Sequence, residues 1–134
     1  MMRQYAIGQG SRLLDTLVRQ LNRAASVHDA ASVHDLRVAI RRFQQFLRVF
    51  RQFLPRAQVK KIRRRLRELM RLSGEVRNRD IASAFLHQAG VMKHSRLLTT
   101  LARERGHAQQ ALLKLIDRLS QRDLARKWHS RLQL

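Results

Sequence analysis

A single proline, Pro55, interrupts a chain of 134 residues whose apolar positions recur every three or four places, and five glycines are the other main breakers. Strand-like alternation is absent, so the sequence reads as all-helical. The spacing predicts a first helix over residues 4–25, with Leu14, Leu17, Val18, Leu21 and Ala25 facing inward. Residues 26–31 read as a connector, and they carry a short echo: Ala25-Ser26-Val27-His28-Asp29 repeats as Ala31-Ser32-Val33-His34-Asp35. A second helix is expected over residues 33–53, with Ser32 as N-cap and Asp35 as the acidic partner of a capping box. Pro55 closes it and opens a third helix over residues 56–72. Gly74 suggests a kink or short break before the pattern resumes through Val76, Ile81, Phe85 and Leu86. A loop around Gly90 leads to a fourth helix over residues 94–119, and Ser120 is expected to cap a short one over residues 121–132. Four amphipathic helices with short connections predict an antiparallel four-helix bundle with a short C-terminal helix, a single domain over residues 1–134.

Charge then distinguishes one face from another. The chain holds 29 Lys and Arg against 9 Asp and Glu, a formal charge of +20, and 24 of the 29 bases are Arg. An apolar share of 44% supplies a real core, so this is no disordered basic tail. The absence of cysteine removes disulfides, thiolate nucleophiles, thiolate zinc sites and iron–sulfur clusters. No apolar run reaches the roughly 18 residues of a spanning helix, and the N-terminus lacks a signal-peptide core, so a soluble, cytoplasmic protein is expected.

On the second helix, Leu36, Ile40, Phe43, Phe46, Leu47, Phe50 and Leu54 share one arc. Nearly opposite runs a stripe of His34, Arg37, Arg41, Gln45, Arg48 and Gln52, flanked by Arg42 and Arg51. The third helix repeats the plan. Val59, Ile62, Leu66, Leu69 and Met70 turn inward, while Lys60, Arg64, Arg67 and Arg71 follow one another outside with Arg63 beside them. From Leu36 through Arg67 there are 12 basic residues and no acid. A solvated helix face ordinarily mixes both signs, because like charges three or four places apart repel. A bound polyanion would relieve that repulsion. On the fourth helix Arg105 falls inside the apolar arc, which calls for a rim position or a partner.

The segment Val33-His34-Asp35-Leu36-Arg37-Val38-Ala39-Ile40-Arg41-Arg42 resembles the H-x-x-R-V-x-x-R-R signature of the CHAD domain, the conserved histidine α-helical domain. Downstream, Gly74-Glu75-Val76-Arg77-Asn78-Arg79-Asp80-Ile81 resembles that family's G-x-x-R-D-x-D-V stretch, with Asn78 in place of its first Asp. The resemblance implies a helical bundle whose basic groove binds inorganic polyphosphate, in proteins found beside polyphosphate granules. It implies binding roles for His34, Arg37, Arg41, Arg42 and Arg77, to which the stripe geometry adds Arg48, Lys60, Arg64, Arg67 and Arg71. Family members typically carry two related bundles, and this chain has material for one, so it either pairs with itself as a homodimer that rebuilds the pair, which the commonness of two-fold assemblies favours, or binds with one bundle alone.

The chemistry of such a ligand agrees with the composition. A chain of bare phosphates has no bases to read or stack, and three of the seven aromatics, Phe43, Phe46 and Phe50, belong to a core face. The closest rival is non-specific binding of DNA or RNA backbones at low salt. No base-reading helix-turn-helix, RNA-binding aromatic signature or zinc-finger spacing accompanies it. His34-Asp35-Leu36-Arg37 also looks like a histidine-kinase phosphoacceptor box, but Val38 and Ala39 stand where Thr or Asn and Pro usually follow. His28, His87, His94, His107 and His129 lack ligand spacing, and Asp80 reads as the orienting partner of an arginine. No enzymatic activity, cofactor or metal is expected.

Overall fold

A computed structural model describes residues 1–120 and 123–134. Five α-helices fill it: α1 (Met2–Ser26), α2 (Ala30–Val49), α3 (Arg56–Gln88), α4 (Arg96–Ser120) and α5 (Leu124–Leu132). There is no strand among the described residues. Short connections make the first four run up and down around one core, and α5 lies back against α1 and α3. Leu14, Leu17 and Leu21 of α1, Leu36, Ile40, Phe43, Phe46 and Leu47 of α2, and Val59, Ile62, Leu66 and Leu69 of α3 are all buried, as their spacing requires. In α4 the buried set is Leu98, Leu112, Leu115, Ile116 and Leu119. Trp128 of α5 stacks on Phe43 with ring centroids 6.2 Å apart, which seats the terminal helix on the core face of α2.

Several boundaries differ from those the sequence suggests. The N-cap of α2 is Asp29, from the first copy of the echo, and its carboxylate accepts from the Ser32 amide at 2.8 Å. That hydrogen bond holds the Asp29 carboxyl below the ordinary carboxylate range. Ser32 is instead buried inside the first turn, its hydroxyl donating to the carbonyls of Val27 and Asp29. Asp35 pairs with Arg23 and ties α2 to α1. At its far end α2 stops at Val49, because the chain turns through a 3-10 helix, Arg51–Phe53, into extended Leu54, the conformation favoured ahead of Pro55. Ala24, not Ala25, meets the core. Ser95 caps α4 by accepting from the Leu98 amide, so α4 starts after it, and Ser120 is the last residue of α4. The expected start of the terminal helix at Gln121 lies outside the described residues.

The largest difference is α3, which runs unbroken through Gly74 for 33 residues, roughly 50 Å. It ends where Gly90 takes φ +82, with the Val91 amide bonded to the Leu86 carbonyl and the Gly90 amide to that of His87. The 20 residues of α2 span only about 30 Å, so the α3–α4 hairpin projects past the α1–α2 connection. Arg105 marks that level. Its Nε donates to Asp80 at 2.6 Å and its Nη2 to the His28 carbonyl at 3.0 Å, which explains an arginine in an apolar arc and gives Asp80 its arginine.

Gly10 sets the approach of α1 to α2, since a Cβ there would fall inside contact distance of the Phe46 ring and of Leu134. Both neighbours sit in packed surroundings, so Gly10→Ala should overpack the crossing and destabilise the protein by about 1–3 kcal/mol despite the better helix former. Urea unfolding measures this, and a stabilised variant would show that the crossing yields at little cost.

Candidate anion-binding site

The site begins with one guanidinium. Arg37 reaches from α2 to the backbone of α3, where its Nη1 donates to the Met70 carbonyl at 2.7 Å and to the Ser73 hydroxyl at 3.0 Å. Gly74 makes room for it, as a Cβ there would lie 3.0 Å from the same nitrogen. The glycine that looks like a helix breaker is therefore a bare patch of helix on which an arginine rests.

This contact fixes which flanks of the two helices meet. Burial, and then the like charges of Arg41 and Arg77, push the Arg37 guanidinium below the ordinary arginine range. The last two influences come from different helices, so the fold has brought the two sequence motifs together. His34, Arg41 and Arg48 are exposed along the same side of α2, each within about 60° of Arg37. On α3, Arg67 lies about 20° round from Gly74, Lys60 about 40°, Arg71 about 60° and Arg64 about 80°, all exposed. The line of cations thus turns outward as it passes from Arg67 to Arg64.

Two placements depart from the expected groove. Arg42 lies about 140° round α2 from Arg37, in line with Asp35 and Phe46, which face α1. It is separated from the other nine candidates. A helix starting at residue 33 would have put His34 in its first turn, beside an N-terminus favourable to anions. His34 is instead the fifth residue of α2, and the terminus itself is already capped by the Asp29 carboxylate. Conversely, Arg63 lies within about 20° of Gly74 on the α2 side, better aligned with the junction than Arg64. Its spacing of eleven residues from Gly74 was the available signal, and it needed the Arg37 contact to be meaningful.

The carboxylates are elsewhere. Among the described residues, ion pairs join Arg23 to Asp35, Arg79 to Glu75 and Glu104, Arg105 to Asp80, and Arg65 and Arg118 to Glu68. His129 meets Asp15 on the α1–α5 side. None of the ten candidate residues takes part in these pairs. Glu68 stands four places after Arg64 and three before Arg71, yet its bridges go to Arg65 and Arg118 at 3.8 Å. Further along the outer stripe of α2, Arg48 donates to the Gln45 amide oxygen at 2.6 Å. No group of three or more His, Cys, Asp or Glu among the described residues could hold a metal ion. No helix among the described residues is long and apolar enough to cross a membrane.

The family model of the CHAD domain matches residues 9–134, which takes in both motif-bearing helices and everything after them. No curated protein and no solved structure matches the chain.

The seating of Arg37 on Gly74 can be tested by a double-mutant cycle. In an Arg37→Ala background, Gly74→Ala should stabilise by about 0.8–1 kcal/mol, the ordinary helix-propensity gain. In the natural background the added methyl crowds Nη1, and the gain should shrink by at least about 0.5 kcal/mol. Equal gains in urea unfolding of both backgrounds would mean the two residues are not coupled.

Proposed function

The chain belongs to the CHAD domain family, and from that premise we propose that it binds inorganic polyphosphate, without catalysis, along the cations of α2 and α3. CHAD domains are associated with polyphosphate binding. The observation that carries the reading is the convergence of Arg37, Arg41 and Arg77 on one junction, where each lacks a carboxylate partner among the described residues. Such a junction holds unrelieved like charge, and a phosphate chain laid over it would remove the repulsion and gain charge-assisted hydrogen bonds.

The roles divide by what each side chain already does. Arg37 anchors α2 to α3 with Nη1, and its role toward phosphate is to hold the junction positive. Arg41, Arg77 and His34 supply donors at the junction, while Arg48, Lys60, Arg67 and Arg71 extend the track on either side. Arg64 sits at its edge, and Arg42, turned toward α1, lies off it. A ligand without bases suits this track, because the aromatic rings along α2 are engaged with one another and with Trp128 in the core.

The reading includes a homodimer in the cytoplasm, associated with polyphosphate granules. Its support is the projecting end of the α3–α4 hairpin, where Ile81 and Phe85 are 51% and 67% exposed. They continue the Gly74 flank of α3, the flank that packs on α2 lower down and has no α2 at this level.

Arg41→Ala and Arg77→Ala should each weaken polyphosphate binding about tenfold at low salt, while Arg12→Ala, on α1, should leave it nearly unchanged. Titration calorimetry measures this, and equal losses at all three positions would mean that net charge alone is acting. Polyphosphate should displace DNA at equal phosphate concentration; the reverse order would favour a nucleic-acid ligand. In sedimentation equilibrium the protein should run as a dimer that Phe85→Asp returns to monomer. A monomeric natural protein would remove the self-association from this reading.

A further inference from the structure

We infer that the protein has a second anion site, distinct from the α2–α3 junction, in a cavity walled by α3, α4 and α5 that takes a compact oligophosphate group. The cavity measures about 390 Å³, the size of a small-molecule site. Cations rim it from three directions: Lys61, Arg64 and Arg65 from α3, Arg118 from α4, and Lys127 and Arg131 from α5. All six are exposed. Beneath them lies a floor of Ile62, Leu115, Leu119, Leu124 and Trp128, each buried.

This rim is on the other side of α3 from the junction. Lys61 and Arg65 lie roughly 140–180° round α3 from Gly74, so a ligand on Arg41 and Arg77 does not reach them. Only Arg64 stands between the two sites. The only carboxylate ion-paired to the rim among the described residues is Glu68, shared at 3.8 Å between Arg65 and Arg118, which leaves the opening strongly positive. Lys127 and Arg131 are four places apart on one face of α5, and Lys61 and Arg65 are likewise on α3, so each wall repels itself as well as the other. The ion pairs to Glu68 do not account for that accumulation.

The shape narrows the ligand. Apart from the indole N–H of Trp128 the floor is apolar, so an anion is held chiefly by the walls, and a single phosphate would meet one wall and leave the others repelling. A tri- or tetraphosphate meets several at once. An extended strand suits a track better than a cavity of this size. The shared chemistry is therefore an oligophosphate, either free or as the charged end of a nucleotide whose base rests on the apolar floor. This holds whether or not the junction takes long-chain polyphosphate.

The protein carries its own reporter, since Trp128 is the only tryptophan and lines the cavity. Tripolyphosphate added at low salt should change Trp128 emission, excited at 295 nm, in a saturable way. Lys127→Gln with Arg131→Gln should weaken that response at least tenfold, and Lys61→Gln with Arg65→Gln should do the same from the other wall. Arg41→Gln with Arg77→Gln should leave it in place, which separates this site from the junction. Circular dichroism checks that each variant is helical. An ATP arm distinguishes the sources: a response at lower concentration than tripolyphosphate identifies a nucleotide, and a weaker one identifies free oligophosphate. Emission that does not move, or that responds in both cavity double variants as strongly as in the natural protein, overturns the proposal.

Discussion

The arrangement of this protein depends on an arginine lying against the bare backbone of a neighbouring helix. Arg37 reaches Met70 and Ser73 across the α2–α3 interface, and Gly74 lets it come that close. A guanidinium so placed loses water and sits near Arg41 and Arg77, and both effects work against its charge. Two hydrogen bonds to α3 offset part of that penalty. The same contact that joins the helices therefore also assembles the positive charge, and fold and site cannot be varied separately at this residue.

What keeps the charge available is where the acids went. Asp29 caps α2, Asp35 holds α1 to α2, Asp80 meets Arg105 at the base of the projecting hairpin, and Glu75 and Glu104 close on Arg79. These carboxylates act as fasteners between elements or at a helix end. None of these carboxylates is ion-paired to the α2–α3 stripe, since Glu75, four places after Arg71, is drawn to Arg79, so the stripe's repulsion is left for solvent ions or for a ligand to relieve. The cavity between α3, α4 and α5 follows the same logic with a single shared glutamate. The basic character of the chain is thus concentrated on two sides of α3, with Arg64 at the seam.

Most of the core was legible in the sequence, because burial on one face of a helix imposes a period that few other patterns imitate. The mistakes came where a local rule had two solutions. The Ser-Val-His-Asp echo offered two caps, and helix α2 used the first, since Asp29 reaches the Ser32 amide while Asp35 is engaged by Arg23. Gly74 was read as a break because glycine weakens a helix by about 1 kcal/mol. That cost is small beside the burial of Val76 and Ser73 on either side of it. Arg105 looked misplaced until the α1–α2 connection was seen to come down on it.

The sequence by itself determined the helices, their inward faces and an acid-free run of cations along two consecutive rods. Each of these is a property of one helix, set by a fixed angular step per residue. Only the tertiary structure decided which flank of α2 lies on which flank of α3, and with it that Arg41 and Arg77 share a junction while Arg42 turns toward α1. It also decided that α5 folds back to close a second basic opening around Trp128. A helical period fixes a side chain's bearing on its own axis; the neighbour it faces is chosen by how the rods pack.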